Sequence, residues 1–334
     1  MDIIPTQAKE QNTTYIPTAA PIHPAEKTTT WISVVIVNYN AGQVLEACVA
    51  SLLNDANNTG ASANIALDII VVDNASTDSS LEFLDLTFQD DPRLRIIRNQ
   101  QNLGFAKACN IGTRLTDSEF ILYLNPDCVV EQGFVKNLLT KLQASPKAGM
   151  AGGLLLNPDG SEQPGGRRAV PTPWRTFVRM TGLSVLGKRY PKLFSDFLLH
   201  RQPVPAEPVN VEAISGACML VRRSALEQVG LMSEDYFVHC EDLDWCMQFR
   251  KNDWQILFVP QARLTHLKGV CSKDHPLAVE WHKHKGMLTF YRRHFKFQYP
   301  GILMWCVRTG VCLRFCAVAV RILARRVANK LAFK

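Results

Sequence analysis

After residue 31, continuous apolar runs alternate with segments in which apolar residues recur at helical spacing. The apolar runs are WISVVIVNYN (31–40), LDIIVVDNAS (67–76), RLRIIRN (93–99) and FILYLN (120–125). Runs of this kind, ended by polar turn residues, are typical of strands buried on both faces. Segments 43–54 and 103–115, in which apolar residues recur at helical spacing, lie between these apolar runs. This order predicts an α/β fold with a mainly parallel central sheet flanked by helices.

Composition changes divide the chain into segments. Residues 1–30 are rich in Thr and Pro and contain no apolar run, whereas 157–182 are rich in Gly, Pro and Arg and have no strand period, as in a long functional loop. A second ordered block follows at 209–266. The predicted organisation is a disordered leader (1–30), one domain (31–275) with halves at 31–156 and 157–275, and a basic helical C-terminal extension (276–334).

Charge and cysteine content narrow the class of protein. The net charge is +7, with much of the excess after residue 282, but no nucleic-acid recognition module accompanies it. The N-terminus lacks the basic start and apolar core of a secretory signal, and the ten cysteines form no CxxC pair. Reduced thiols in the cytoplasm follow from this pattern. An anionic membrane surface explains the basic charge better than nucleic acid does.

The C-terminal extension has the pattern of an amphipathic helix. Arg308, Arg314 and Arg321 interrupt the apolar run 302–324, which argues against a clean spanning helix. Arg314, Arg321 and Arg325 fall close to one helical face, opposite many apolar side chains. Such a helix lies in the membrane interface, at the inner face of the plasma membrane. The alternative is a helix packed on the protein's own core.

Polar residues gather at the ends of three predicted strands. They are Asn38-Tyr39-Asn40, the run from Asp73 to Asp78, and Asn125-Pro126-Asp127. The carboxyl ends of parallel strands share one sheet edge, where ligands bind. Turn chemistry alone explains one such tip, but three together resemble a site. Since GxGxxG and GxxxxGK[ST] are both absent, a divalent cation held by carboxylates is the expected partner of a diphosphate.

A family resemblance rests on motifs in a fixed order. VVIVNYN, VVDNASTDSS, RNQQNLGFAKACNIG and LYLNPDC, followed by SGACMLVRR and HCEDLDWCMQFR, resemble an inverting glycosyltransferase of family 2 with the GT-A fold. The match covers roughly 31–270. LNPD, SGACMLVRR and the ED-x-DW pattern are similar to the rhamnosyltransferase-like branch. The resemblance implies that 31–156 bind a nucleotide-sugar and 157–275 bind the acceptor.

The resemblance also implies donor-binding residues. Tyr39 and Asp73 stand where the family contacts the nucleobase, and a carboxylate acceptor suits N3–H of uracil or thymine, hence a UDP- or dTDP-sugar. Asn102, Gly104 and Lys107 stand where the family approaches the diphosphate and sugar. For Gly104 a turn that begins a helix is an equal alternative.

Metal ligands follow from the same resemblance. Asp127 matches the last aspartate of the family's DxD motif, which holds Mg²⁺ or Mn²⁺, and Asn125 stands at the position of the first. His266 stands where the family supplies a third ligand. The alternative for a lone histidine is a hydrogen-bonded side chain with no metal.

The general base implied by the resemblance is Asp242, in HCEDLDWCMQFR. Inverting transfer needs one base to deprotonate the acceptor hydroxyl. Its neighbour Glu241 is the residue most easily confused with it. For Asp244 we expect a helix N-cap or a pair with Arg250.

Other basic and aromatic residues have two interpretations each. Trp174, Arg167 and Arg168 either hold an acceptor diphosphate or lie in a solvated loop. The run from His282 to Lys285 is expected on a solvated or membrane-facing helix surface.

Together these motifs predict a metal-dependent inverting glycosyltransferase on the inner face of the plasma membrane. The sugar favoured by the resemblance is L-rhamnose from a dTDP donor, and the acceptor is a glycan linked to a lipid diphosphate. A processive synthase would need spanning helices and a QxxRW motif, which is absent. The remaining alternative is a non-catalytic nucleotide-sugar-binding or scaffold protein of the same fold.

Overall fold

The computed structural model describes residues 29–60, 64–194, 196–269 and 276–332. The predicted leader falls almost entirely outside these ranges. In the first half, strands and helices alternate as predicted. They are β1 (Thr30–Asn38), α1 (Val44–Asp55), β2 (Ile65–Asp73), α2 (Ser80–Phe88), β3 (Leu94–Arg98), α3 (Phe105–Arg114), β4 (Phe120–Leu124), β5 (Cys128–Val130), α4 (Phe134–Gln143) and β6 (Ala148–Leu156).

The second half is more ordered than its composition indicates. The predicted long loop, 157–182, contains a short strand and an α-helix that is capped by the Thr172 hydroxyl, and a further short helix follows it. The elements are β7 (Arg167–Arg168), α5 (Pro173–Met180), α6 (Pro191–Phe194), β8 (Val209–Asn210), β9 (Ala213–Ile214), β10 (Cys218–Arg222), α7 (Arg223–Val229), α8 (Glu241–Lys251), β11 (Gln255–His266), α9 (Pro276–Phe295) and α10 (Gly301–Ala332).

One large sheet runs in the order β3-β2-β1-β4-β10-β6-β11-β5, and β8 pairs with β11. The pairs among β1 to β4 and the pair β6–β11 are parallel, whereas β10 and β5 are antiparallel to their neighbours. A small second sheet joins β7 to β9. The mainly parallel sheet is therefore confirmed, with antiparallel insertions. Because β1, β2 and β4 are parallel, their polar tips share one edge.

The sheet is buried on both faces, which explains its unbroken apolar runs. Val34 and Ile36 of β1 pack in one core cluster with residues of α1 and α4, and the alternate residues Val35 and Val37 pack in the other with residues of α3 and α8. A strand with helices on both sides is therefore mainly apolar. Ser33 is the polar exception within β1: it is fully buried, and its hydroxyl lies within hydrogen-bond distance of Asp68, Thr116 and Ser118.

The C-terminal helix α10 contacts the domain along one side only. Val307 and Val311 are buried, whereas the outward face carries the α10 stripe, defined as Ile302, Trp305, Leu313, Val320 and Leu323. At 100° per residue the stripe spans about 80°, opposite Arg314, Arg321 and Arg325. By length and composition, Gly301–Arg325 also passes as a possible membrane span, and only 11% of its most apolar window is buried. Arg308, Arg314 and Arg321, which argue against a clean spanning helix, lie within this range, and the predicted amphipathic arrangement is present.

One histidine of the 282–285 run departs from the predicted surface position. His284 is buried on α9, where its ring packs edge-on against Phe315 of α10 and Nδ1 lies 2.7 Å from the carbonyl oxygen of Glu280. His282 stacks on Phe237 instead. These two rings therefore contribute to packing between helices and the loop before α8.

Candidate active site

Asp127 and His266 come together because β5 pairs with β11. His266 lies opposite Cys128 in this pairing, and the backbone N–H of Leu267 donates to the carbonyl of Asp127 at 2.9 Å. Nε2 of His266 is 3.1 Å from Oδ1 of Asp127, and both side chains are buried. The carboxamide nitrogen of Asn125 lies 3.4 Å from the same Nε2. The two residues predicted as metal ligands, Asp127 and His266, thus lie together, with Asn125 beside them.

Gln163 determines which nitrogen of His266 faces Asp127. Its amide nitrogen donates to the His266 carbonyl and to Asn157 Oδ1, both at 3.1 Å, so its Oε1 accepts from Nδ1 of His266 at 2.7 Å. Nδ1 then carries the proton, and the lone pair of Nε2 points at a carboxylate. Two acceptors at this distance repel unless a proton or a cation lies between them.

A divalent cation fits this pair of acceptors. Adjacent ligands of an octahedral ion with bonds of about 2.1 Å lie about 3.0 Å apart, close to the observed 3.1 Å. Metal-binding histidines donate their other ring N–H to a fixed acceptor, which is the role of Gln163 here. Local sequence patterns do not identify Gln163, because it is 103 residues from His266.

Cys128 lies close to the same two residues, and its sulfur is within 4.8 Å of their ligand atoms. Burial, and then the charge of Asp127, raises the pKa of this thiol well above its ordinary range. The sulfur contacts the Ala217 carbonyl at 3.7 Å within the apolar core. A protonated thiol in this position is a core residue, not a ligand for a hard cation.

At the tip of β2, Asp73 is held in a buried hydrogen-bond network. Its Oδ1 accepts from Asn38 Nδ2 at 2.7 Å and from the Ser76 hydroxyl at 2.6 Å, and its Oδ2 accepts from the Ser76 backbone N–H at 3.1 Å. Oδ2 retains a lone pair for a further donor. Tyr39 follows Asn38 at the same edge and is half-buried. The predicted nucleobase residues are therefore adjacent at this edge.

The segment before α3 is a tight turn. Gly104 has φ +84°, and a Cβ there would lie 2.5 Å from the carbonyl of Phe237, so glycine is required. Asn102 accepts from the Gly104 N–H at 3.0 Å through its side chain. Lys107 is half-buried on the first turn of α3. Gly104 and Asn102 thus shape the backbone here, which supports the turn interpretation, and their contact with a donor remains a prediction.

Asp242 is the second residue of α8 and meets β7 and the β9–β10 loop. Its Oδ2 accepts from the backbone N–H of Gly216 at 3.0 Å and is ion-paired with Arg168, while Oδ1 accepts from Leu243 N–H at 2.7 Å. Burial is the largest influence on the pKa of Arg168 and lowers it, but the charge of Asp242, its hydrogen bond and the nearby Cys246 and Cys240 together raise the pKa above its ordinary value. This ion pair and the two backbone hydrogen bonds fix the direction of the Asp242 carboxylate.

Glu241, beside Asp242, is in a different environment. It is buried, and its Oε2 has no hydrogen-bond partner among the described residues. Burial, and then the charge of Asp242, raises the pKa of Glu241 to about 8. A carboxyl that stays largely protonated at neutral pH is a poor base, which counts against Glu241 in that role.

The Ser215–Ala217 segment connects the two carboxylate regions. Gly216 binds Asp242, and the next residue, Ala217, accepts through its carbonyl from the backbone N–H of Asn125 at 3.0 Å. Only one peptide separates the two contacts. Asp242 and the Asn125–Asp127 turn therefore share one wall.

Two sequence-based expectations for neighbouring residues are wrong. Asp244 neither caps α8 nor pairs with Arg250; it is buried and accepts from Tyr236 OH at 3.1 Å and His294 Nε2 at 2.7 Å. The partner, His294, is 50 residues away on α9, which local spacing cannot reveal. Arg167 is buried against Glu162, so it is not available to an acceptor. For Asp244 a long-range contact replaced the local one, whereas the Arg167–Glu162 ion pair joins residues only five positions apart.

A family model described as Glycosyl transferase family 2 matches residues 33–230, more than half of the chain. The chain belongs to glycosyltransferase family 2. The matched residues include Asp73 and Asp127, whereas Asp242 and His266 lie beyond them. The predicted family is confirmed.

Two curated relatives of this glycosyltransferase extend the comparison. N-acetylglucosaminyl-diphospho-decaprenol L-rhamnosyltransferase of Mycobacterium tuberculosis is 28% identical over 294 residues, which are 85% of this chain and 91% of the relative. The low-salt glycan biosynthesis hexosyltransferase Agl10 of Haloferax volcanii is 25% identical over 231 residues, 67% of this chain and 63% of the relative. The likeness to the rhamnosyltransferase branch predicted from the motifs is confirmed.

Solved structures of two glycosyltransferases show the same GT-A fold. GalNAc-T7 with UDP, GalNAc and Mn²⁺ has a TM-score of 0.56 and 18% identity, over 80% of this chain and 48% of that one. The mannosyltransferase PcManGT from Pyrobaculum calidifontis, in complex with GDP-Man and Mn²⁺, has a TM-score of 0.53 and 14% identity. The match covers 96% of this chain and 84% of that one. The predicted fold is thereby confirmed.

Proposed function

We propose that this family 2 glycosyltransferase transfers L-rhamnose, with inversion, from dTDP-L-rhamnose to a sugar linked to a lipid diphosphate. The observation that carries the proposal is the convergence of the Asp127–His266 pair and Asp242 on the wall formed by Ser215–Ala217. The name of the mycobacterial relative supplies the sugar and the class of acceptor. UDP-sugars are the competing donors for the same base-binding residues.

Asp242 is the proposed general base. It takes the proton from the acceptor hydroxyl while that oxygen attacks the anomeric carbon, and the bond from this carbon to the diphosphate oxygen breaks. Arg168 and the Gly216 N–H hold Oδ2, so Oδ1 is the oxygen with more remaining acceptor capacity. This arrangement orients the base before the acceptor binds.

Asp127 and His266, with Asn125 alongside, are the proposed holders of Mg²⁺ or Mn²⁺. When bound, the cation neutralises charge on the leaving diphosphate, so no acid is needed on that side. Tyr39 and Asp73 take the nucleobase, and Asn102, Gly104 and Lys107 lie toward the diphosphate and sugar.

We further propose that the protein works on the cytoplasmic face of the plasma membrane. The lipid-linked acceptor lies in that membrane, and α10 presents an uncharged apolar stripe on the side away from the domain. Arginines at the edges and back of the helix suit anionic headgroups.

A transfer assay with the full chain tests the function. dTDP-L-rhamnose, UDP-N-acetylglucosamine and no donor are each incubated with N-acetylglucosaminyl-diphospho-polyprenol in detergent, with Mn²⁺ or with EDTA. We expect dTDP release and a rhamnosylated lipid only with the first donor and the metal. Transfer undiminished by EDTA contradicts the metal site. Donor binding without transfer from any donor supports the scaffold alternative.

Asp242→Asn tests the general base. We expect the turnover number to fall about 10²- to 10⁴-fold, because a carboxamide cannot accept the hydroxyl proton. The thermal shift caused by dTDP-rhamnose with Mn²⁺ should be unchanged. The matched control is Asp253→Asn, at an exposed position with φ +62° that asparagine also tolerates. Wild-type turnover in Asp242→Asn contradicts the assignment.

A further inference from the structure

An exposed apolar surface lies in the acceptor half, apart from α10. We define the apolar loop as residues 180–194, from the last residue of α5 to the end of α6. Its large apolar side chains are exposed by 42–79%: Met180, Val185, Leu186, Tyr190 and Leu193. A single exposed apolar residue is ordinary, but a cluster in one short segment marks an interaction site.

The charge of the apolar loop indicates the sign of the charge on its partner. Residues 180–194 contain three basic residues and no acidic one, and Arg189 is exposed. Within 281–334 the sequence likewise contains no Asp or Glu. Apolar side chains mixed with unbalanced basic charge match the boundary between headgroups and acyl chains of an anionic lipid leaflet.

The apolar loop is continuous with α10. A Cβ on Gly310 would lie 2.9 Å from Cε of Met180, so the start of the loop touches this helix. By helical angle Gly310 lies about 60° beyond Leu313 at the edge of the α10 stripe, on the flank next to Arg321. α5 is also joined to α9, because the hydroxyls of Thr176 and Tyr291 lie 2.7 Å apart. The loop and the stripe thus belong to one packed unit.

Both ends of the apolar loop are connected to the base. Arg168 of β7, which pairs with Asp242, precedes α5 by a few residues. After the loop, the chain returns to β7, where Phe197 O accepts from Ala169 N–H at 2.8 Å and Arg167 donates to Gln202 O at 2.8 Å. A membrane contact at the loop would hold β7 and Asp242 close to the lipid surface.

We propose that the apolar loop inserts into an anionic lipid leaflet beside the α10 stripe and forms the second half of one membrane-docking surface. This inference rests on the proposed membrane association and adds a contact that the C-terminal extension alone does not supply. Its consequence is orientation: a lipid-linked acceptor reaches Asp242 from the membrane side, over β7. Two separated contacts fix the tilt of the domain, whereas one helix leaves it free to rotate.

Flotation of the full chain with vesicles tests the proposal. The vesicles are phosphatidylcholine alone or phosphatidylcholine with 40% phosphatidylglycerol, about the proportion of an anionic leaflet. The double variant Val185→Glu/Leu193→Glu should float with anionic vesicles at least tenfold less than wild type. Val185→Ser/Leu193→Ser should show a smaller loss in the same direction. Leu86→Glu, on an 83% exposed leucine of α2, is the matched control and should float like wild type.

The outcomes separate the inference from the proposed function. If wild type does not float with either vesicle, membrane association fails, and this inference fails with it. If wild type and both double variants float equally with anionic vesicles, while thermal unfolding shows that all are folded, only the apolar loop is excluded from the membrane. A protein partner is then the remaining occupant. If the glutamate variant does not fold, flotation of the serine variant with anionic vesicles, compared with that of wild type, decides whether the apolar loop contacts the membrane.

Discussion

At the scale of single residues, the candidate metal site depends on His266 Nε2, which faces Oδ1 of Asp127 at 3.1 Å. The two side chains are buried and acceptor-rich, so the arrangement is favourable only with positive charge between them. Gln163 maintains this orientation from outside the pair. Sequence motifs identified Asp127 and His266, but the residue that positions them is visible only in three dimensions.

Gln163→Leu should weaken metal binding without removing a ligand. A leucine cannot accept from Nδ1–H of His266, so the ring is free to take the other tautomer and direct an N–H at Asp127. We expect the Kd for Mn²⁺ to rise about 10- to 100-fold, measured by the dependence of the donor-induced thermal shift on Mn²⁺ concentration. Gln89→Leu, an exposed glutamine after α2, is the control. Equal Mn²⁺ dependence in both variants would show that Gln163 has no role at the site.

Glu241 makes a pH-dependent contribution to stability whose sign follows from its environment. Its pKa is about 8 in the folded state, above the ordinary 4.5, so the folded state retains a proton that the unfolded state releases. Its contribution to the free energy of unfolding is fully present below pH 4.5 and is lost as the pH rises through 8. Burial of a charged carboxylate without a partner is the cause.

Glu241→Gln should therefore gain stability relative to wild type as the pH rises. We expect the difference in free energy of unfolding, variant minus wild type, to become more positive by about 1–3 kcal/mol between pH 5 and pH 8. Urea unfolding at the two pH values measures it. Glu82→Gln, on an exposed glutamate of α2, should show no such trend. A difference that is the same at pH 5 and pH 8 would exclude a raised pKa for Glu241.

At the scale of elements, α9 packs against the turn that precedes Asp242, the proposed general base. His239 and Cys240, immediately before α8, have φ values of +68° and +73°, in a region that non-glycine residues avoid. The backbone of α9 approaches this turn at Gly286, where a Cβ would lie 2.8 Å from the His239 carbonyl oxygen. The Asp244–His294 contact joins α8 to α9, about one turn of α8 after the strained residues. The strained turn is thus clamped from α9.

Gly286→Ala should displace the turn and with it Asp242. The added methyl group must push the His239 carbonyl away, because backbone cannot move aside as a flexible side chain does. We expect the turnover number to fall about tenfold or more, since a 1 Å misplacement of a reacting group has such effects, while donor binding is kept. Gly301→Ala, where a Cβ meets no atom within 4 Å, is the control. Wild-type kinetics in Gly286→Ala would show that the turn adapts without cost.

Elements differ in how far local sequence predicts them. β1 and β4 were predictable because burial on both faces makes them nearly continuous apolar runs. Polar tips were predictable because parallel strands end at one edge. The ion pairs of Asp244 and Arg168 were not, since each partner is 50 or more residues away and satisfies a buried charge that local patterns do not record. The helices and strands within 157–208 were not predicted because they are short and the segment contains many glycines and prolines.

At the scale of the whole molecule, the α10 stripe is the feature with the clearest consequence for location. Trp305, Leu313 and Val320 are each 66% exposed on one helical face. Exposure of this apolar area to water is unfavourable in free energy, and burial in lipid would remove that penalty. Leu313→Glu/Val320→Glu should shift the full chain from the membrane to the soluble fraction of lysed cells by about tenfold or more, because each carboxylate opposes burial and anionic headgroups. Turnover in detergent on the same acceptor should be kept, since neither residue is near Asp242 or Asp127 in the contacts of the fold. Leu86→Glu controls for added charge on an exposed leucine of the opposite half. A double variant that stays in the membrane fraction would mean that α10 does not hold the enzyme there through this face.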